Sequence, residues 1–440
     1  MRSKVRLLIP SVMFTLLACG SEAPQSEGYL EVQIDTDAPL PSTTVDVPGV
    51  FDAVAIDLVR EDGSLACEAC SRELGLTREL VDSGASFVAR VDTSVRMRAR
   101  LFSSGLGGAA LEGPRVVERW VRLPAKPAEG RALVRVQLPI ASLGTSIGTL
   151  SSPTEVDVTD TQMSPAQREP ARPESAPGIV CVPGGFFWMG DPRLPYEGEL
   201  SARETRLVQV SPFCVDAHEA TVAQLRTSGV DTAGVGPWSG KTTATSGGDF
   251  CAYTPEPGPN EARAVNCVPW ATARAYCQAR GGDLPTEAQL EYLGTGFGRG
   301  SFVWGTESPA CADAVFARAV GIVKGDRSCR RKAAEAFLPA SAETLGQTRD
   351  VLRTEAGEIV GLASNVAEWT REEFAPYDAR CGRAPTGLLR DPECVVKNTT
   401  TRIAVRGGAY TSPADGTAAA VRAFVLLPKI RADLGFRCVY

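Results

Sequence analysis

Apolar and polar positions follow two different rhythms along this chain. Between residues 28 and 140 the period is two. Leu30, Val32 and Ile34 alternate with Glu31, Gln33 and Asp35, and Val54, Ile56 and Leu58 alternate with Ala55, Asp57 and Val59. Val95, Met97, Ala99 and Leu101 alternate with Arg96, Arg98 and Arg100, and Val134, Val136 and Leu138 with Arg135 and Gln137. Successive side chains of a strand point to opposite faces, so each run reads as a short strand with one apolar face. Several such strands with turn residues between them predict a small all-β sandwich over residues 28–140. The arginines at every second position read as its solvated face rather than as a ligand patch. Residues 141–176 are rich in Ser, Thr and Pro and poor in large apolar groups, which predicts a linker.

From residue 177 onward, short capped helices appear. Pro285 cannot continue a helix, Thr286 is a good N-cap, and Gln289 three residues on completes a capping box. Leu290 and Leu293 share a face, Glu287 lies near the helix's positive end, and Gly294 and Gly296 end the run. Pro269 opens a preceding helix with Trp270, Ala273 and Cys277 on one face. Thr221 and Gln224 form a second capping box.

The first residues change the picture from a cytosolic to an exported chain. Arg2, Lys4 and Arg6 precede an apolar run from Leu7 to Ala18 that is interrupted by Pro10 and too short to span a bilayer. Residues 1–18 read as a signal peptide. Leu16-Leu17-Ala18-Cys19 resembles a bacterial lipobox, which implies cleavage after Ala18, lipid on Cys19 and a tether over 19–27. The mature protein is then anchored to a membrane without spanning it. The chain has 13 cysteines, so 12 remain beside Cys19. An even count in an exported chain favours disulfides over metal thiolates. Cys67-x-x-Cys70 lacks a βαβ context and reads as a local loop clip. The net charge of −6 and the absence of a basic stripe with interleaved aromatics exclude nucleic acid as a partner. A length of 440 residues suggests at least two domains.

Candidate chemistry is narrowed by His218, the only histidine. A Ser-His-Asp triad would need it as base, and no Gly-x-Ser-x-Gly elbow is present. A multi-histidine iron or zinc site is impossible within one chain. Gly294 to Gly300 misses the Gly-x-Gly-x-x-Gly spacing, follows a helix, and reads as a flexible turn. Glu372 with Glu373, and Asp391 with Glu393, read as solvated acidic neighbours rather than a hydrolytic pair.

The second region carries an ordered series. It opens with Val182-Pro183-Gly184-Gly185-Phe186 and Met189-Gly190, followed by the Leu284-Pro285-Thr286-Glu287 helix start and Phe302-Val303-Trp304-Gly305. Asn365-Val366-Ala367-Glu368-Trp369, Arg406-Gly407-Gly408 and Leu434-Gly435-Phe436-Arg437 complete it. The series resembles the formylglycine-generating enzymes, the sulfatase-modifying factors, over residues 177–440. The resemblance implies an α+β fold, a variant of the C-type-lectin type with much irregular loop. It also implies a structural calcium held by oxygen ligands, with Asn365 and Glu368 at matching positions and Asp313 near a second, looser segment. This chain has Ser364 where the family pattern usually has Gly. Catalytic members carry two cysteines after the Arg-Gly-Gly that bind copper(I) and activate oxygen. Here those positions are Ser412 and Thr417. Copper(I) requires soft thiolates, and hydroxyls are hard and stay protonated, so copper is not expected. The single histidine also sets the chain apart from iron-dependent sulfoxide synthases of the same fold.

Three functions follow. The first is a binding or accessory module of the cell envelope, without catalytic residues, for a protein, peptide or glycan ligand. The second is an oxidase converting a sulfatase cysteine to formylglycine through another thiol pair among Cys381, Cys394 and Cys438. The third is a disulfide-stabilised structural envelope protein. The replacement at Ser412 and Thr417 favours the first over the second.

Overall fold

The computed structural model describes residues 28–440 apart from 44–48, 85, 90, 92, 107–112, 158–160, 167–168, 173–175, 193–203, 241–249, 319–328, 330–337, 378, 380 and 382–386. The signal-peptide stretch 1–18, Cys19 and the tether 19–27 lie outside the described residues. The chain divides into two compact units, Met1–Gln167 with Ala384–Leu388, and Arg168–Arg383 with Leu389–Tyr440. Its architecture is mixed, with many short strands and few helices. No described helix is long and apolar enough to cross a membrane.

The first unit contains two sheets. In one, Tyr29–Asp35 lies between Ser86–Ala89 and, in parallel, Arg131–Gln137. In the other, Ser71–Gly75, Ala53–Val59, Val95–Phe102 and Val117–Leu123 run antiparallel in that order. The four period-two runs all form strands, with Met97, Ala99 and Leu101 fully buried. The face opposite them differs from expectation. Arg96, Arg98 and Arg100 are half-buried and paired with Glu61, Glu118 and Asp57 respectively; the neighbouring strands present Glu118 and Asp57, and the exposed turn after Ala53–Val59 presents Glu61. The strand Val117–Leu123 carried no clear apolar signal, because Arg119 occupies an inward position. Arg119 is buried and satisfied by Asp157 at 3.1 Å from Nη2 and by the carbonyls of Gln137 and Glu155. The sheet also reaches into the stretch read as a linker: Ser146–Ile147 and Thr154–Glu155 pair in parallel with Val117–Leu123.

The second unit is built around the sheet Arg422–Leu426, Arg402–Arg406, Ala367–Glu373 and Leu434–Gly435, in that order. Two hairpin-like pairs, Ile179–Val182 with Phe213–Asp216 and Gly185–Met189 with Arg206–Val210, precede it. The helices Val222–Thr227 and Glu287–Gly294 each begin with the complete capping box that the sequence predicts. The helix Trp270–Ala279 buries Ala273, Tyr276 and Cys277 against a core that holds Leu284, Trp369, Val405 and Phe436. Trp369 is fully buried and its indole donates to the Val268 carbonyl at 2.9 Å. The Gly294–Gly300 stretch is a packed turn rather than a flexible one: Phe297 is buried and its N–H donates to the Tyr292 carbonyl at 2.8 Å.

All twelve described cysteines are paired, as Cys67–Cys70, Cys181–Cys214, Cys251–Cys267, Cys277–Cys438, Cys311–Cys329 and Cys381–Cys394. Six disulfides mark an exported protein.

Candidate functional site

The helix Glu287–Gly294 positions the first layer of the site. Its two glutamates are one turn apart, so both face inward, and both are buried. Glu287 Oε2 accepts from Arg406 Nε at 2.9 Å and Arg422 Nε at 2.8 Å. Glu291 accepts from Arg406 Nη1 at 2.6 Å and from the Gly190 N–H at 2.5 Å. Arg406 also donates to the Tyr377 hydroxyl at 2.6 Å. Burial pushes the Glu287 carboxyl up, but Arg422 and Arg406 outweigh it and hold it below the usual range. Glu291 is pushed up by burial despite Arg406. Arg422 lies 4.3 Å from the ring centroids of Phe374 and Tyr377, which cover the network.

Glu372 completes this layer and corrects the expectation that it is solvated. It is buried, accepts the Glu287 N–H at the helix start and, through Oε1, the Cys394 N–H at 2.8 Å. Burial, then the charge of Glu287, push its carboxyl up to about 7. A regular acidic pair in the sequence gives no hint of this, because the groups that bury Glu372 come from distant segments.

Arg406 leads directly into the loop with Ser412 and Thr417. Gly407 has φ of 81°, and a Cβ on Gly408 would sit 2.5 Å from the Ala363 carbonyl and 2.9 Å from Thr417 Cα. The glycines therefore allow the loop to fold tightly over residues 363 and 417. Ser412 is half-buried and its Oγ accepts the Ala409 N–H at 3.0 Å. Thr417 is fully buried and its hydroxyl donates to the Ala414 carbonyl at 2.6 Å. Both hydroxyls thus stabilise the turns of their own loop. Beside the loop, Phe302 and Trp304 stack with centroids 5.0 Å apart; Phe302 clusters with Ala418 and Ala420, and Trp304 and Val421 pack against that cluster.

A second buried layer contains the residues expected to hold calcium. Glu368 accepts from Arg437 Nε through both oxygens, at 2.8 and 2.9 Å, and Arg437 Nη2 also donates to the Val360 and Gly361 carbonyls. Asn365, at φ of 69°, accepts the Ala340 N–H at 2.6 Å and donates to Glu219 at 3.0 Å. Burial pushes Glu219 up to about 8. Asp313 caps its own turn by accepting the Ala310 N–H at 2.8 Å. Calcium needs six to eight oxygen ligands. Here the Glu368 carboxylate is already met by a guanidinium and the Asn365 carbonyl by a backbone donor. These side chains do not fit a calcium ion as they stand. Among the described residues no group of three or more His, Cys, Asp or Glu converges as a metal site. His218 lies just ahead of the helix Val222–Thr227, with Nδ1 2.8 Å from the Glu219 carbonyl.

The fold and these two layers define a class. The sulfatase-modifying factor enzyme 1-like domain matches residues 165–440. The chain belongs to that family. Its structure is similar to PvdO from Pseudomonas aeruginosa, at 18% identity and a TM-score of 0.40, over 59% of this chain and 93% of that one. It is also similar to Treponema denticola variable protein 1, at 14% identity and a TM-score of 0.39, over 59% of this chain and 94% of that one. CarF is similar at 16% identity and a TM-score of 0.35, over 59% of this chain and 97% of that one. No curated protein matches the chain.

Proposed function

We propose that this chain is a lipid-anchored binding or accessory module of a bacterial cell envelope, in which a sulfatase-modifying-factor domain has lost its oxidative chemistry. The second unit is read as the C-type-lectin-like variant of that family, and the first as a small all-β sandwich. The ligand class is a protein, peptide or glycan. One observation carries the reading: hydroxyls stand at 412 and 417, and each is used to hold the loop's own backbone. An oxidase would need another thiol pair. Cys381 is bonded to Cys394 and Cys438 to Cys277, so none of the three candidates is a thiol. A disulfide cannot supply the thiolates that copper(I) requires.

Copper(I) titration of the whole protein tests this reading. The parent protein is expected to lack a tight site, and the double variant Ser412→Cys with Thr417→Cys to gain one. Tight binding of copper(I) by the parent contradicts the proposal.

A further inference from the structure

The disulfide Cys67–Cys70 lies outside the site described above and differs from the other five in its surroundings. It spans three positions of sequence, whereas the others span 13 to 161. It sits in the connection between the antiparallel strands Ala53–Val59 and Ser71–Gly75, the latter exposed along most of its length at the edge of its sheet. Cys67 is half-exposed and its neighbour Glu68 is exposed. Backbone hydrogen bonds hold the connection independently of sulfur. Leu58 N–H donates to the Cys70 carbonyl and Ala66 N–H to the Leu58 carbonyl, both at 2.8 Å, and Cys70 N–H donates to the Cys67 carbonyl at 3.1 Å. Cys70 is buried, so only the Cys67 sulfur side is half-exposed, and opening this disulfide leaves the backbone ties of the connection in place.

Arg60 supplies the chemistry. Its guanidinium donates to the Leu65 carbonyl at 2.6 Å and the Ala66 carbonyl at 2.7 Å, which holds a positive charge against the backbone just before Cys67. A neighbouring cation stabilises a thiolate and makes it a better leaving group. By contrast, Cys277 and Cys438 are fully buried, and Cys181, Cys214, Cys251 and Cys267 are buried as well. Cys329 is buried while Cys311 is exposed, and Cys381 and Cys394 are both half-exposed, but these two disulfides close loops of 18 and 13 positions rather than three.

We infer that Cys67–Cys70 is a thiol–disulfide exchange site on the first unit, which takes electrons from a dithiol while the rest of the protein stays folded. One thiolate of the dithiol attacks the half-exposed Cys67 sulfur and Cys70 leaves as thiolate. The second thiol then attacks the dithiol's own sulfur in the mixed disulfide and releases Cys67 as thiolate beside Arg60. The two protons of the dithiol end on Cys67 and Cys70, and the dithiol leaves as a cyclic disulfide. The reaction runs backwards in an oxidising medium because the hydrogen-bonded connection keeps both thiols within reach.

Graded dithiothreitol on the native full chain, with iodoacetamide trapping and peptide mapping, tests the inference. Label on Cys67 and Cys70 is expected at about tenfold lower dithiothreitol than on any other cysteine, with an unchanged circular dichroism spectrum. Arg60→Gln should slow complete reduction of Cys67–Cys70, through the release of Cys67, several-fold while the order in which the disulfides are reduced stays the same. The double variant Cys67→Ser with Cys70→Ser should remain folded and lose only the low-dithiothreitol event. Earlier label on Cys311 or Cys381, or simultaneous label on all twelve described cysteines, would overturn it.

Discussion

Arg437 is fully buried, and its charge is met by Glu368 and by backbone carbonyls on both sides. Removing one member of a buried pair strands the other in a low-dielectric interior, which costs about 3–5 kcal/mol. Glu368→Ala should lower stability by that amount in a denaturant titration, and calcium should not restore it. For the same reason the melting temperature of the parent is expected to be the same with calcium or with chelator; an upward shift with calcium would show that Arg437 gives way to a metal. Glu372 provides a pH test. Its carboxyl lies near 7 in the fold, above its ordinary value, so the folded state holds the proton more tightly than the unfolded one. The stability this contributes is fully present below about pH 4.5 and is lost as pH rises through about 7. Glu219, near 8, adds a slope of the same sign, so Glu372→Gln should remove only the component centred near 7. An unchanged profile of stability against pH in that variant would contradict the assignment. Little of this was legible in the sequence. Glu287 read there only as a carboxylate near the helix's positive end, because the arginine partners of Glu287 and Glu291 lie 115 to 135 positions away.

Helix starts were the most legible elements, because a cap is a local event. Both Thr-x-x-Gln boxes form as the spacing predicts. Thr286→Ala leaves an N–H at the helix start without its acceptor, and should cost about 0.5–2 kcal/mol. A change below about 0.3 kcal/mol would mean that tertiary packing alone holds the helix start. Strands were legible where the inward residue is apolar, as in Val95–Phe102. Val117–Leu123 was not, since Arg119 takes an inward place that only its distant partners, Asp157 and the Gln137 carbonyl, make tolerable. Short parallel pairings such as Ser146–Ile147 on Val117–Leu123 leave no periodic trace in two residues.

For the molecule as a whole, the even cysteine count foretold disulfides but not their pairing, which depends on which segments the fold brings together. Thiol titration of denatured, unreduced protein should find few free groups. Replacing both Cys277 and Cys438 by Ser, which releases the last strand region from the helix Trp270–Ala279, should cost about 2–5 kcal/mol; a smaller loss would place the stability of this unit in its packing alone. The family was legible because its motifs sit where core and loop geometry require particular residues: Trp369 in the core, Arg406 and Arg437 in buried ion networks, Gly408 against Ala363. The same geometry retains the scaffold while Ser412 and Thr417 occupy the loop. The decisive measurement is incubation of the purified protein with copper(I), oxygen and a cysteine-containing sulfatase-type peptide, read by mass spectrometry. The account predicts that the peptide cysteine is recovered unchanged, and catalytic conversion of that cysteine to formylglycine by the parent protein would contradict it.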